Sequence, residues 1–130
     1  MTDQNPDDSA NAHISEIVRL LIESEDLAGE WDAVALAVIL DGTSYDSSGF
    51  RYRADGKAIP IAPEEDALYD QLIAYRDFEA QRSGKAPWKA CLIQLDRKAN
   101  SFDLKLEYDD PMRWKITPAN LKDMREALRP

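Results

Sequence analysis

The side chains best equipped for chemistry in this 130-residue chain are one histidine, one cysteine and a surplus of carboxylates. His13 stands alone near the N-terminus, so a Ser-His-Asp triad or a Cys-His pair would have to be built on it, and no Gly-x-Ser-x-Gly turn supplies a nucleophile. Cys91 lies inside an apolar run, where a buried, inert thiol is expected rather than a redox centre. No Gly-x-Gly-x-x-Gly, Walker loop or paired Cys and His motif is present, which points away from a cofactor and toward a protein that is not an enzyme. The carboxylates cluster most suggestively at Glu107, Asp109 and Asp110. Glu107 and Asp109 occupy alternate positions and would point the same way along a strand, as hard oxygen ligands for Mg²⁺ or Ca²⁺, as a protein-binding patch, or simply as a solvated strand end. Arg113 and Trp114 come soon after, a pairing typical of interface anchors, although Trp114 could equally pack beneath the last helix. Tyr45 sits in a polar stretch and is expected to be the most exposed aromatic. Tyr45, Glu107, Asp109, Asp110, Arg113 and Trp114 together form the candidate partner-binding set.

The elements that must position these residues emerge from periodicity. Residues 1–10 are polar and acidic and suggest a disordered tail, leaving residues 11–130 as a single domain. Ile14, Ile17, Val18 and Leu21 recur at helical spacing, predicting a first helix over about residues 12–27. Val34, Leu36, Val38 and Leu40 alternate with alanines, as in a central strand covered on both sides. Asp41-Gly42 turns the chain, Thr43 to Gly49 has the composition of a loop, and Phe50 and Tyr52 alternate with Arg51 and Arg53 in a returning strand. Pro60 and Pro63 interrupt regular structure. Glu64, Glu65 and Asp66 then suit the positive end of a long helix that Ser83-Gly84 terminates. Trp88 opens an apolar strand to Asp96. Phe102, Leu104, Leu106 and Tyr108 alternate with Asp103, Lys105 and Glu107 in its hairpin partner. Thr117 as N-cap and Pro118 at the first helical position predict a closing helix through Leu121, Met124 and Leu128. The expected fold is α+β in the order α-β-β-α-β-β-α, with helices packed on a mostly antiparallel four-stranded sheet. Trp31 and Trp88, each just ahead of an apolar strand, should plug the sheet's ends.

Charge narrows the partners. The net charge is −9, unevenly spread: residues 1–79 hold 18 acids against 5 bases, and residues 80–130 hold 7 acids against 11 bases. Such an excess of acid disfavours nucleic acid, whose binding relies on Lys and Arg displacing counterions, and favours a basic protein partner. No apolar run approaches the roughly 20 residues of a membrane span, and the N-terminus lacks a secretory pattern, so neither membrane nor export is expected and the cytoplasm is the default location.

The order of landmarks resembles the YezG-like immunity-protein family: an N-terminal helix, Trp31 opening a strand, an aromatic strand at Phe50 and Tyr52, an acidic middle helix, Trp88 opening a third strand, and Glu107-Tyr108-Asp109-Asp110. The likeness spans roughly residues 12–115; the Trp114 to Asn120 ending departs from it. This resemblance implies a small cytoplasmic antitoxin that binds and neutralises a toxin's C-terminal domain, often a nuclease. The alternative is a structural or regulatory interaction module, including one that self-associates through a sheet edge.

Overall fold

A computed structural model describes residues 6–130. The elements are α1 (Pro6–Ile22), a single 3-10 turn (Glu25–Leu27), β1 (Ala33–Asp41), β2 (Ser44–Tyr52), β3 (Ala58–Ile61), α2 (Asp66–Ser83), β4 (Ala90–Asp96), β5 (Ser101–Glu107) and α3 (Leu121–Ala127). Among the described residues five strands form one antiparallel sheet in the order β3-β2-β1-β4-β5. The α+β class holds, with five strands rather than four. The strand not expected from sequence is β3, whose Pro60 argues against it; a proline is tolerated there because β3 is an edge strand, and its outer side needs no further pairing.

The side-chain alternation of β1 divides the molecule. Val34, Leu36, Val38 and Leu40 point into a core shared with Ile17 and Leu21 of α1, Leu68 and Leu72 of α2, and Cys91, Ile93 and Leu95 of β4. Ala35 and Ala37 point the other way, into a second core with Phe50, Tyr52, Ala90, Leu92, Trp114 and Leu128. The sheet thus carries a helical layer on one face and the C-terminal chain on the other. The buried Trp31 and Trp88 both join the helical core.

Several boundaries differ from expectation. Residues 6–10, expected in a tail, are the first turns of α1, and Ala10 is buried; residues 1–5 of that expected tail lie outside the described residues. The helix stops at Ile22 rather than near 27, and Ser24 caps the break by donating its hydroxyl to the Leu21 carbonyl. Ser44 to Gly49, expected as loop, is strand: β2 pairs residue for residue with β1 from Asp41↔Ser44 to Ala33↔Tyr52 across a two-residue Gly42-Thr43 turn. Gly42 takes φ +61°, the left-handed value such a tight hairpin demands. Gly49 is required for a different reason, since a Cβ there would fall 2.0 Å from the Ala35 carbonyl oxygen. In α2, Gly84 at φ +71° returns its N–H to the Ala80 carbonyl and closes the helix as expected. α3 starts three residues later than the Thr117-Pro118 signal, because Thr117 and Asn120 bond each other's main-chain N–H groups in a separate turn.

Candidate functional site

Two strands, β2 and β5, and the turn that follows β5 bring the candidate residues to one end of the sheet. Tyr45 of β2 pairs with Leu40, the Leu40 N–H donates to the Lys89 carbonyl (2.9 Å), and the Lys89 N–H donates to the Glu107 carbonyl (2.8 Å). Tyr45 and Glu107 therefore stand in one row, three strand spacings or about 14 Å apart. They face opposite ways. Tyr45 shares the helical face with Leu40, whereas Glu107, opposite Ala90, shares the C-terminal face.

Tyr45 is not the most exposed aromatic. Its ring stacks on Tyr69 of α2 at 3.6 Å and 8°, leaving it 38% exposed, against 52% for Phe102. Tyr69 in turn donates its hydroxyl to the Pro63 carbonyl, and the Ser47 hydroxyl lies 2.6 Å from it. Burial pushes the Tyr69 phenol up to about 12, so it stays neutral and acts as a fixed prop for Tyr45.

Glu107 anchors the strand exit rather than facing a partner. Its Oε2 accepts the N–H of Asp109 (3.0 Å) and of Asp110 (3.2 Å), and its Oε1 accepts Arg113 Nη1 (2.9 Å). The Asp109 N–H, then Arg113, then the Asp110 N–H hold its carboxyl down to about 2. A carboxylate so occupied is neither a proton donor near neutral pH nor a free metal ligand. Among the described residues no three His, Cys, Asp or Glu side chains gather as metal ligands.

This clasp presents the turn beyond it. Asp110 Oδ1 accepts the Met112 N–H (3.0 Å), which tightens the Asp110-Pro111-Met112-Arg113 turn. Asp109 and Asp110 are exposed, and Arg113 leans over the Trp114 ring at 5.2 Å. Trp114 itself is a correction to the candidate set: it is only 8% exposed and packs in the second core with Leu128, so it holds the turn down instead of meeting a partner. Lys115 then reaches Asp46 of β2 (2.6 Å), strapping the segment across the sheet's end. The turn also exposes Met112, at 54%, a residue outside the candidate set. The signal for it in sequence is an apolar side chain set in an acidic, proline-containing turn. Phe102 is likewise outside that set, because strand periodicity gives its face but not the fact that α1 ends beside it at Ile22.

Elsewhere, Cys91 is fully buried and its thiol is pushed up by desolvation, in keeping with an inert role. His13 sits against the Phe78 ring with Gln71 Nε2 at 3.3 Å from its Nδ1, a packing position between α1 and α2. No described helix is long and apolar enough to cross a membrane. No protein-family model matches the chain, and no curated protein matches it in sequence. The arrangement at the sheet's end is suited to binding: two carboxylates and a thioether on a turn whose main chain is fixed from both sides.

Proposed function

We propose that this protein is a non-enzymatic, immunity-type binding protein of the cytoplasm, akin to the YezG-like family, that neutralises a basic, nuclease-like toxin domain by covering its surface. The observation that carries this reading is the pre-ordered turn: Asp109 and Asp110 are exposed while their main-chain N–H groups are already bound to Glu107, so little ordering remains to be done on docking. The net charge of −9 supports long-range attraction of a basic partner. Met112 offers an apolar contact on the same turn with the exposed Arg113 beside it, while Tyr45 stands apart on the sheet's other face. Trp114 and Glu107 serve by positioning the turn.

The test is affinity capture from lysate of the source organism with the tagged protein, followed by association kinetics on the captured partner. A basic partner eluted by salt is expected. The double variant Asp109→Ala with Asp110→Ala should associate about tenfold more slowly at low salt, with a flatter salt dependence. Equal association by the variant and the parent across the salt series would remove this turn from the binding surface; a captured partner without excess base would overturn the electrostatic reading.

A further inference from the structure

The sheet has two edges, and they are built differently. β3 is four residues long and has Pro60, with no N–H to offer, in its interior. β5 runs for seven residues without proline or glycine, in unbroken register with β4 from Ala90↔Glu107 to Asp96↔Ser101. At either end of β4 the Lys89 carbonyl accepts the Leu40 N–H and the Arg97 N–H donates to the Asp32 carbonyl, both on the β1 side, while the Lys89 N–H alone crosses to the Glu107 carbonyl. By alternation, residues 90, 92, 94 and 96 bond toward β5, where their partners are 107, 105, 103 and 101. The N–H and C=O groups of Phe102, Leu104 and Leu106 therefore point outward, and no described residue outside the sheet bonds to them.

We propose that this edge pairs with a second copy of the chain, β5 against β5, antiparallel about a two-fold axis at Leu104. In that register Leu104 hydrogen-bonds its own counterpart and Phe102 bonds the partner's Leu106, twice by symmetry, using the three outward-facing residues of each strand. The closely spaced positions between them set Asp103 opposite the partner's Lys105, again twice. Asp103 and Lys105 are both exposed, on the C-terminal face, and neither takes part in an ion pair or side-chain hydrogen bond within the chain among the described residues. On the helical face the pairing covers Phe102, 52% exposed, beside the 42% exposed Ile22, two of the four large apolar side chains left in solvent among the described residues.

Other registers fit worse. Moving the axis one residue to Lys105 still pairs the outward groups of Leu104 and Leu106, but it sets Lys105 against its own counterpart and Asp103 against the partner's Glu107, like charge on like at each close pair. Moving it to Leu106 sets Asp103 against the partner's Asp109 and asks for Glu107, which Arg113 and two N–H groups already occupy. A lone lysine on an edge strand ordinarily repels added strands; here Asp103 two residues away makes the edge complementary to itself. The ladder is short, so the dimer forms as a function of concentration. This inference is independent of the toxin-binding reading.

Sedimentation equilibrium of the full chain tests it. Over about 10 μM to 1 mM, a span suited to a small interface, the average mass should rise from 14.7 kDa toward twice that value. Asp103→Lys and Lys105→Asp should each weaken self-association about tenfold or more, because each sets like charges opposite one another at both symmetric sites. Mixing the two single variants should restore association as a heterodimer. Positions 103 and 105 are both lysine in the first variant and both aspartate in the second, so opposite charges again face each other at each site. Native mass spectrometry with one chain isotopically labelled reads this directly. Recovery in the mixture also shows that both variants fold. A parent chain that stays at 14.7 kDa throughout, a dimer indifferent to the single swaps, or a mixture with no heterodimer would each overturn the proposal.

Discussion

On the helical side of the sheet Leu36 and Ile93 share a core with Ile17, Leu21, Leu68 and Leu72, all essentially without solvent contact, whereas the other side offers Ala35, Ala37 and Ala90 to the C-terminal chain. Large side chains bury enough apolar surface to hold two long helices without special geometry. Alanines supply less, and the layer over them is fixed instead by polar hooks. From the sheet the Tyr52 hydroxyl donates to the Arg125 carbonyl (2.8 Å) and Gln94 Nε2 to the Leu128 carbonyl (3.0 Å), and within the C-terminal layer Asn120 Nδ2 donates to the Lys115 carbonyl (2.9 Å). Arg129 adds its guanidinium over the Tyr52 ring at 4.5 Å. The two faces therefore divide the labour: the helical layer gives the domain its stability, and the C-terminal layer, held by directional contacts at defined points, sets the shape of the turn that carries Asp109 to Met112.

That division breaks most visibly by removing bulk from the helical side. Leu36→Ala leaves a cavity between the sheet and both helices and should cost about 3 kcal/mol, within the range of buried leucine truncations; urea unfolding, read as a lower midpoint at unchanged slope, checks it. A loss under about 1 kcal/mol would mean that the helices can collapse onto the gap. Adding bulk to the other side should do less harm. Ala35→Leu has no space beneath Phe50 and Trp114 and should cost about 1–3 kcal/mol, the range of overpacked cores. Its distinguishing mark is faster hydrogen exchange in residues 112–128 with α1 and α2 unaffected; uniform loosening of both layers would contradict the separation of the two cores.

The smallest effect is a pH dependence at the turn itself. Glu107 has its folded pKa lowered from 4.5 to about 2, so its contribution is complete above the unfolded value and is lost as pH falls through the folded one. Between about pH 4.5 and 2 the parent should lose stability that Glu107→Gln never had, so the difference between them narrows with acid, as paired urea titrations at pH 7 and pH 3 would record. A constant difference at both pH values would mean that the clasp works through shape and not charge.

How far the candidate site is legible in sequence obeys the same division. The spacing of Glu107, Asp109 and Asp110 marks them as a group, and they do lie together, but the role of Glu107 as acceptor for the next residues' N–H groups depends on the chain reversing after β5. Trp114 and Arg113 look equivalent as anchors in sequence; one is buried and one exposed because the turn rotates successive residues to opposite sides. The polar run from Ser44 to Ser48 reads as a loop around Tyr45, yet the nine-residue β1 gives every one of those residues a pairing partner.

Local chemistry was enough to specify the alternation that gives β1 a large and a small face, the alternating β5, the Gly84 stop of α2 and the acid-rich balance of the chain, all of which can be read from the sequence with no knowledge of the fold. Tertiary contacts were needed to settle which strands lie at the edges, that the proline-bearing Ala58–Ile61 segment is one of them, that Tyr45 stacks on Tyr69, and that Trp114 is core. The physical reason is distance along the chain. Periodicity and capping act within a few residues, while the partners that settle these positions are brought together across tens of residues by sheet pairing, and hydrophobic burial is indifferent to sequence separation once the chain has closed.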